Sequence, residues 1–150
     1  MTKGFGGNGK EARVSIDVVQ ELYAAFAKRD IKGMLAHLDP DVVWCEPENP
    51  FNPAAGTHRG HQGFLEWVQI GRTAEDIEVL EPTQLLTNDE AVAVVGHMRC
   101  RARQTGRVYE SDFVHLVTFR DGKIVRFQEF FDTYAAGEAF RNATECASGE

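Results

Sequence analysis

The sequence predicts an α+β domain in which a cone-shaped helical layer lies over a strongly curved, mainly antiparallel β-sheet and encloses a cavity. Three observations carry this. Apolar residues follow the 3.6-residue period of helices through the first half of the chain and change to strand alternation from about Glu75 onward. The later β-rich runs are separated by short turn signals, which demand antiparallel pairing between neighbours. The length of 150 residues, 43% hydrophobic and 26% charged, suits one domain with an ordinary core and is too short for two.

The elements follow in order. Residues 1–14 are glycine-rich with little apolar character, and read as a disordered or tag-like arm. From Ser15, an N-cap candidate, Val18, Val19, Leu22, Tyr23 and Phe26 keep helical spacing until about Arg29. A second helix over 31–38 places Met34, Leu35 and Leu38 on one side before Asp39-Pro40 stops it. Residues 42–45 form a short strand that breaks at Pro47, and Pro47, Pro50 and Pro53 hold the next stretch as a loop able to wall a site. Phe64, Leu65, Trp67 and Val68 mark a third helix over 60–71. Runs 75–87, 90–104, 107–120 and 123–132 then predict a curled four-stranded meander, turning at Asn88-Asp89, Thr105-Gly106 and Asp121-Gly122. A closing helix over 135–143, capped by Asp132 or Thr133, and a tail over 144–150 complete a domain running from 15 to 143.

Charge and cysteine content narrow the partners. Sixteen basic against 23 acidic residues give −7 at pH 7, the wrong sign for holding nucleic acid or an anionic membrane leaflet. Cys45, Cys100 and Cys146 are too few and too scattered for a disulfide framework or a zinc motif, which suits a reducing cytoplasm. No run is long and apolar enough for a membrane span, nor does the N-terminus hold a signal-peptide core.

The stretch VVQELYAAFAKRDIKGMLAHLDPDVVWCEP, from Val18 to Pro47, resembles the opening of ketosteroid isomerase and its relatives in the nuclear transport factor 2-like superfamily. GHQGFLEWV and TGRVYESDFVHLVTFRDGKIVRFQEFFDT resemble the SnoaL-like, polyketide-cyclase-like branch, so the likeness covers about residues 15–140. It implies the cone-shaped fold, but the superfamily includes isomerases, dehydratases, cyclases, epoxide hydrolases and binding modules, so chemistry has to be read from the site. The resemblance puts Glu46 where the isomerases carry their proton-shuttling aspartate. Leu22 and Val114 stand where those enzymes carry a tyrosine and a protonated aspartate, which disfavours their mechanism here. Tyr23 is displaced from the tyrosine position by about 100° around the helix. In the epoxide-hydrolase branch an arginine works between two aspartates, and Arg99 is the cation that could take that part.

Alternation sorts the cavity-facing residues. Glu46 inward brings Trp44 and Val42 with it. The resemblance points His97 and Arg99 inward on the run 90–104, and the same assignment puts Glu110, Asp112, Val114 and Leu116 inward on the run 107–120, with Phe127, Glu129 and Phe131 on the last run. The expected site is therefore Glu46, Arg99, His97, Asp112 and Glu129 within a wall of Trp44, Phe64, Trp67, Val114, Phe127 and Phe131. Such a cluster requires ion pairing or proton sharing, and a raised pKa is expected of one carboxylate. Structural ion pairing, catalysis and simple ligand binding all fit it. Slipping one strand by a residue would exchange His115 for Val114.

Outside this cluster, His58 and His61 form an HxxH that lacks a third ligand and reads as exposed loop histidines. Asp132 fits either a helix cap or a catalytic carboxylate of the cyclase type. Phe113, His115, Val117, Phe119 and Phe130 form an expected apolar stripe on the convex face, which predicts a homodimer. The resulting expectation is an apolar or polycyclic small-molecule ligand, with Glu46 as general base and Arg99 or His97 stabilising an enolate in a cyclase, isomerase or hydratase. That chemistry calls for no cofactor and no metal. The alternative is a non-catalytic ligand-binding or dimeric interaction module.

Overall fold

The computed structural model describes the backbone of residues 9–142 and the side chains of residues 15–142. Helix α1 (Gly9–Ala27) begins before Ser15 and buries Val19, Leu22 and Ala25 on one side, as the spacing predicts. The remainder of the expected N-terminal arm, the C-terminal tail and Cys146 lie outside the described residues.

Arg29 takes the left-handed conformation (φ 57°) that turns the chain into helix α2 (Ile31–Leu35). The Asp30 side chain caps α2 by accepting from the Gly33 N–H at 2.9 Å. Strand β1 (Leu38–Glu46) starts earlier than expected and carries Pro40 inside a shift of register between Leu38 and Val43, where a residue with no N–H is tolerated. The Pro-rich loop ends in a strand that was not foreseen, β2 (Gly56–Arg59), which pairs with β1 from Glu46↔Gly56 to Val43↔Arg59. Gly60, at φ 70°, passes directly into helix α3 (Gly60–Ala74).

The meander follows as expected: β3 (Glu75–Thr87), β4 (Ala91–Ala102), β5 (Val108–Arg120) and β6 (Lys123–Phe131). Asp121 and Gly122, both at positive φ, make the tight turn before β6. Helix α4 (Thr133–Phe140) closes the chain, with Asp132 accepting from the Ala135 N–H at 3.0 Å. The sheet order is β2-β1-β6-β5-β4-β3, with only β1 and β6 parallel. Irregularities at Ile77/Val79, Pro82/Gln84 and Thr118/Phe119 add twist. The sheet stays unclosed and curls around α1 and α3.

The core sits between these layers. Trp44 stacks on Phe127 at 3.9 Å between ring centroids and meets Phe64 edge-on at 4.7 Å. Gly96 makes room there, since a Cβ on it would collide with the Glu81 carbonyl and the Phe113 ring.

Strands β4 and β5 face the opposite way to the expectation. Val92, Val94, Met98, Cys100 and Ala102 of β4, and Tyr109, Ser111, Phe113, His115 and Val117 of β5, are the buried sets. His97, Arg99, Glu110, Asp112, Val114 and Leu116 therefore lie on the outer face. The reason is the cost of burying cations. Outside, Arg99 and Arg101 share Glu78 at 3.0 and 3.1 Å, while His97 reaches Asp112 at 3.0 Å and Glu110 at 3.2 Å. Inside they would have displaced the apolar Met98 and Cys100. The expected convex stripe is dissolved by the same reversal, because Phe113, His115 and Val117 are internal and of its members Phe130 is the one plainly exposed. No helix among the described residues is long and apolar enough to cross a membrane.

Candidate functional site

Glu46 ends β1 with its carboxylate buried, and each oxygen accepts one hydrogen bond. Trp67 of α3 donates its indole N–H to Oε1 at 3.0 Å, and Asn52 donates its amide to Oε2 at 2.5 Å. Asn52 is itself fixed, because its Oδ1 accepts from the Ala54 N–H at 3.0 Å in a local turn. The Pro-rich loop thus walls the site, as expected. Burial raises the Glu46 pKa, against the opposing pull of the Trp67 and Asn52 hydrogen bonds and of nearby His58.

Two further carboxylates converge on it. Glu75, the first residue of β3, accepts from the Tyr109 hydroxyl at 2.7 Å. Burial pushes it up to about 7; the Tyr109 bond opposes this, and the Glu46 and Asp76 charges add to it. Glu129 of β6 is pushed well up by burial and then by the charges of Glu46 and Glu75. With Glu129 raised well above the ordinary carboxylate value and Glu75 pushed up to about 7 beside Glu46, the three carboxylates hold fewer than three negative charges at neutral pH.

His115 of β5 stands beside Glu129, with Nε2 at 3.8 Å from Oε2, longer than a hydrogen bond. Burial pushes its imidazole down to about 3, so it is neutral, while Tyr23 is raised by burial and then by the Glu129 charge and stays a phenol. The Tyr23 hydroxyl therefore donates to His115 Nδ1, and the network assigns the ring proton to Nε2. Cys100, pushed up to about 12 by burial, remains a thiol and is not a nucleophile.

These groups line an inner cavity of about 60 Å³, with Trp44, Trp67, Phe127, Phe131 and Leu22 among its apolar walls. A wider cavity of about 570 Å³ lies against it. Tyr23, Phe26, Glu46, Trp67 and Glu75 belong to the walls of both.

The structure brings together six of the expected residues, Glu46, Glu129, Trp44, Trp67, Phe127 and Phe131. Phe64 supports them from behind, packed against Trp44 and Trp67. Arg99, His97, Asp112 and Val114 are not in the wall of either cavity, and with Arg99 and His97 goes their expected part as enolate stabilisers. Glu75, Tyr109, His115, Tyr23, Cys100 and Met98 take their places. A signal for two of them was available: 97–102 reads His-Met-Arg-Cys-Arg-Ala, a clean polar–apolar alternation that puts Met98 and Cys100 inside. Asp132 is a helix cap at the surface. His58 and His61 are half-buried rather than exposed, and each donates Nε2–H to a backbone carbonyl, Ala54 at 2.8 Å and Leu38 at 3.0 Å.

Comparison with known proteins agrees with this geometry. The model of the SnoaL-like domain matches residues 19–127. An uncharacterized protein of Mycobacterium tuberculosis is 30% identical over 128 residues, covering 83% of this chain and 94% of its own. A nuclear transport factor 2-like protein from Burkholderia xenovorans superposes with a TM-score of 0.78 at 33% identity, over 87% of this chain and 98% of that one. TerC, crystallised with polyporic acid, superposes at 0.75 with 32% identity, over 86% of this chain and 99% of that one. By its matched domain, its fold and its walled cavity, the chain belongs to the SnoaL-like family of nuclear transport factor 2-like proteins.

Proposed function

We propose that the protein binds an apolar small molecule and moves a proton at one of its carbons, with Glu46 as the general base of a cyclase-, isomerase- or hydratase-type reaction. The observation that carries this reading is the position of Glu46: a buried carboxylate in the wall of both cavities, oriented by Trp67 and Asn52, with a raised pKa. A base for carbon acids has to be poised near working pH and within reach of the substrate; burial shifts Glu46 in the direction of the first condition and the shared wall favours the second. Negative charge developing on a carbonyl oxygen has donors nearby, in the protonated forms of Glu75 and Glu129 and in the Tyr23 and Tyr109 hydroxyls. The side chains suffice for this scheme without a cofactor. TerC, which this chain resembles, was co-crystallised with a small molecule, polyporic acid, and this supports a small-molecule ligand for this chain.

The test is deuterium exchange. Aryl ketones incubated with the protein in D₂O should exchange the hydrogens next to the carbonyl, and Glu46→Gln should slow this by about 10²–10⁴-fold. Exchange equally fast with Glu46→Gln, or absent with the wild type while the ketones bind, would refute the base and leave the ligand-binding module. The homodimer belongs to the same proposal, on a changed residue set: Val95, Val114 and Phe130 are neighbours across β4, β5 and β6 on the outer face.

A further inference from the structure

The wider cavity has a charge pattern that the base alone does not use. Its wall contains Glu46 and Glu75 beside the inner cavity, and it also contains Arg29, Arg72 and Arg103. Arg103 is neutralised, donating Nε–H and Nη2–H to Asp76 Oδ1 at 3.0 and 2.7 Å. Arg29, in the turn between α1 and α2, and Arg72, in the last turn of α3, are exposed and have no acidic partner among the described residues. Among the other cations, Arg99 and Arg101 share Glu78 and Arg141 pairs with Glu138, whereas the exposed Arg59, Arg120 and Arg126 have no acidic partner among the described residues but lie outside the wall of this cavity. What distinguishes Arg29 and Arg72 is their place: in a chain of net charge −7, both set unpaired positive charge in the wall of one cavity.

The inner end has the opposite preference. There the charge of Glu46, which raises the pKa of Glu75 and of Glu129, would repel an anion, while Phe127 and Phe131 offer it only apolar surface. We propose that the ligand is an amphipathic anion, with its apolar ring body held inward at Trp67, Ile77 and Leu80 and its oxyanion, a carboxylate or a group of like geometry, held at the mouth by Arg29 and Arg72. Guanidinium groups match planar oxyanions with paired donors, and at the mouth the anion stays clear of the inner carboxylates. The polarity fixes orientation: the end remote from the acid group meets Glu46. A volume of about 570 Å³ accommodates a molecule of two or three rings. This inference rests on the reading of the cavity as a small-molecule site and adds the ligand's charge and direction.

Two dyes of one ring system test it: 8-anilinonaphthalene-1-sulfonate, which carries the oxyanion, and N-phenyl-1-naphthylamine, which does not. The protein's two tryptophans, Trp44 and Trp67, both in the inner wall, report binding by energy transfer to either dye. The wild type should bind the sulfonate more tightly, with an affinity that falls as salt rises. The Arg29→Gln/Arg72→Gln double variant should lose about tenfold for the sulfonate and nothing for the neutral dye, and Lys at both positions should restore part of the loss. Equal affinities of the double variant and the wild type for the sulfonate, or equal losses for both dyes, would overturn the proposal and leave the cavity reading standing. Failure of the neutral dye to reach the tryptophans of the wild type would overturn both.

Discussion

Glu75→Gln isolates the cost of burying acid in this cavity. Glutamine keeps the shape and still accepts from the Tyr109 hydroxyl, so the change removes the charge and little else. The folded pKa of about 7 lies above the ordinary 4.5, so between those values the folded protein binds more protons at Glu75 than the unfolded chain does. Stability at this group therefore falls as pH rises, beginning near pH 4.5 and levelling off above pH 7. The whole rise corresponds to about 3 kcal/mol at about 1.4 kcal/mol per pH unit. Urea unfolding of both proteins from pH 4.5 to 8 should show equal stability at the acid end and a Glu75→Gln advantage approaching that size at pH 8. In melting temperature this is roughly 6–12 °C for a chain of this length. Glu129 should also titrate lower in the variant, since the Glu75 charge contributes to its rise. A variant less stable than wild type at pH 8, with an unchanged pH slope, would refute the claim that Glu75 is a desolvated carboxylate.

Two more substitutions separate the inner from the outer face. Arg99→Met removes one partner of a half-exposed pair with Glu78, so chemical denaturation should show a loss of no more than about 1 kcal/mol, and probe binding in the cavity should not change. Tyr23→Phe leaves buried His115 Nδ1 without its donor; unfolding should reveal a loss of about 1–3 kcal/mol, and nitrogen NMR of the imidazole should report a changed tautomer balance.

The amino-acid sequence by itself determined the order and type of nearly every element, because helix spacing, Asp-Gly turns and strand alternation are local properties. It also determined that Glu46, Trp44 and Trp67 share a site, since Glu46 and Trp44 lie two apart on one strand and Trp67 repeats at helical spacing from Phe64. Only the tertiary structure decided which face of β4 and β5 turns inward. Alternation defines two faces without saying which is which, and the choice fell to energetics across strands: Arg99 and His97 find Glu78, Glu110 and Asp112 outside, whereas Met98, Cys100, Tyr109 and Phe113 fill the core. Strand β2 escaped the sequence because four residues between prolines and a glycine carry little pattern, and they become a strand through pairing with β1. Glu75 shows the same division. Its chain neighbour Asp76 contributes least to the rise; Glu75 becomes an acid poised near neutrality because the curl of the sheet buries the start of β3, within reach of Tyr109 and the charge of Glu46.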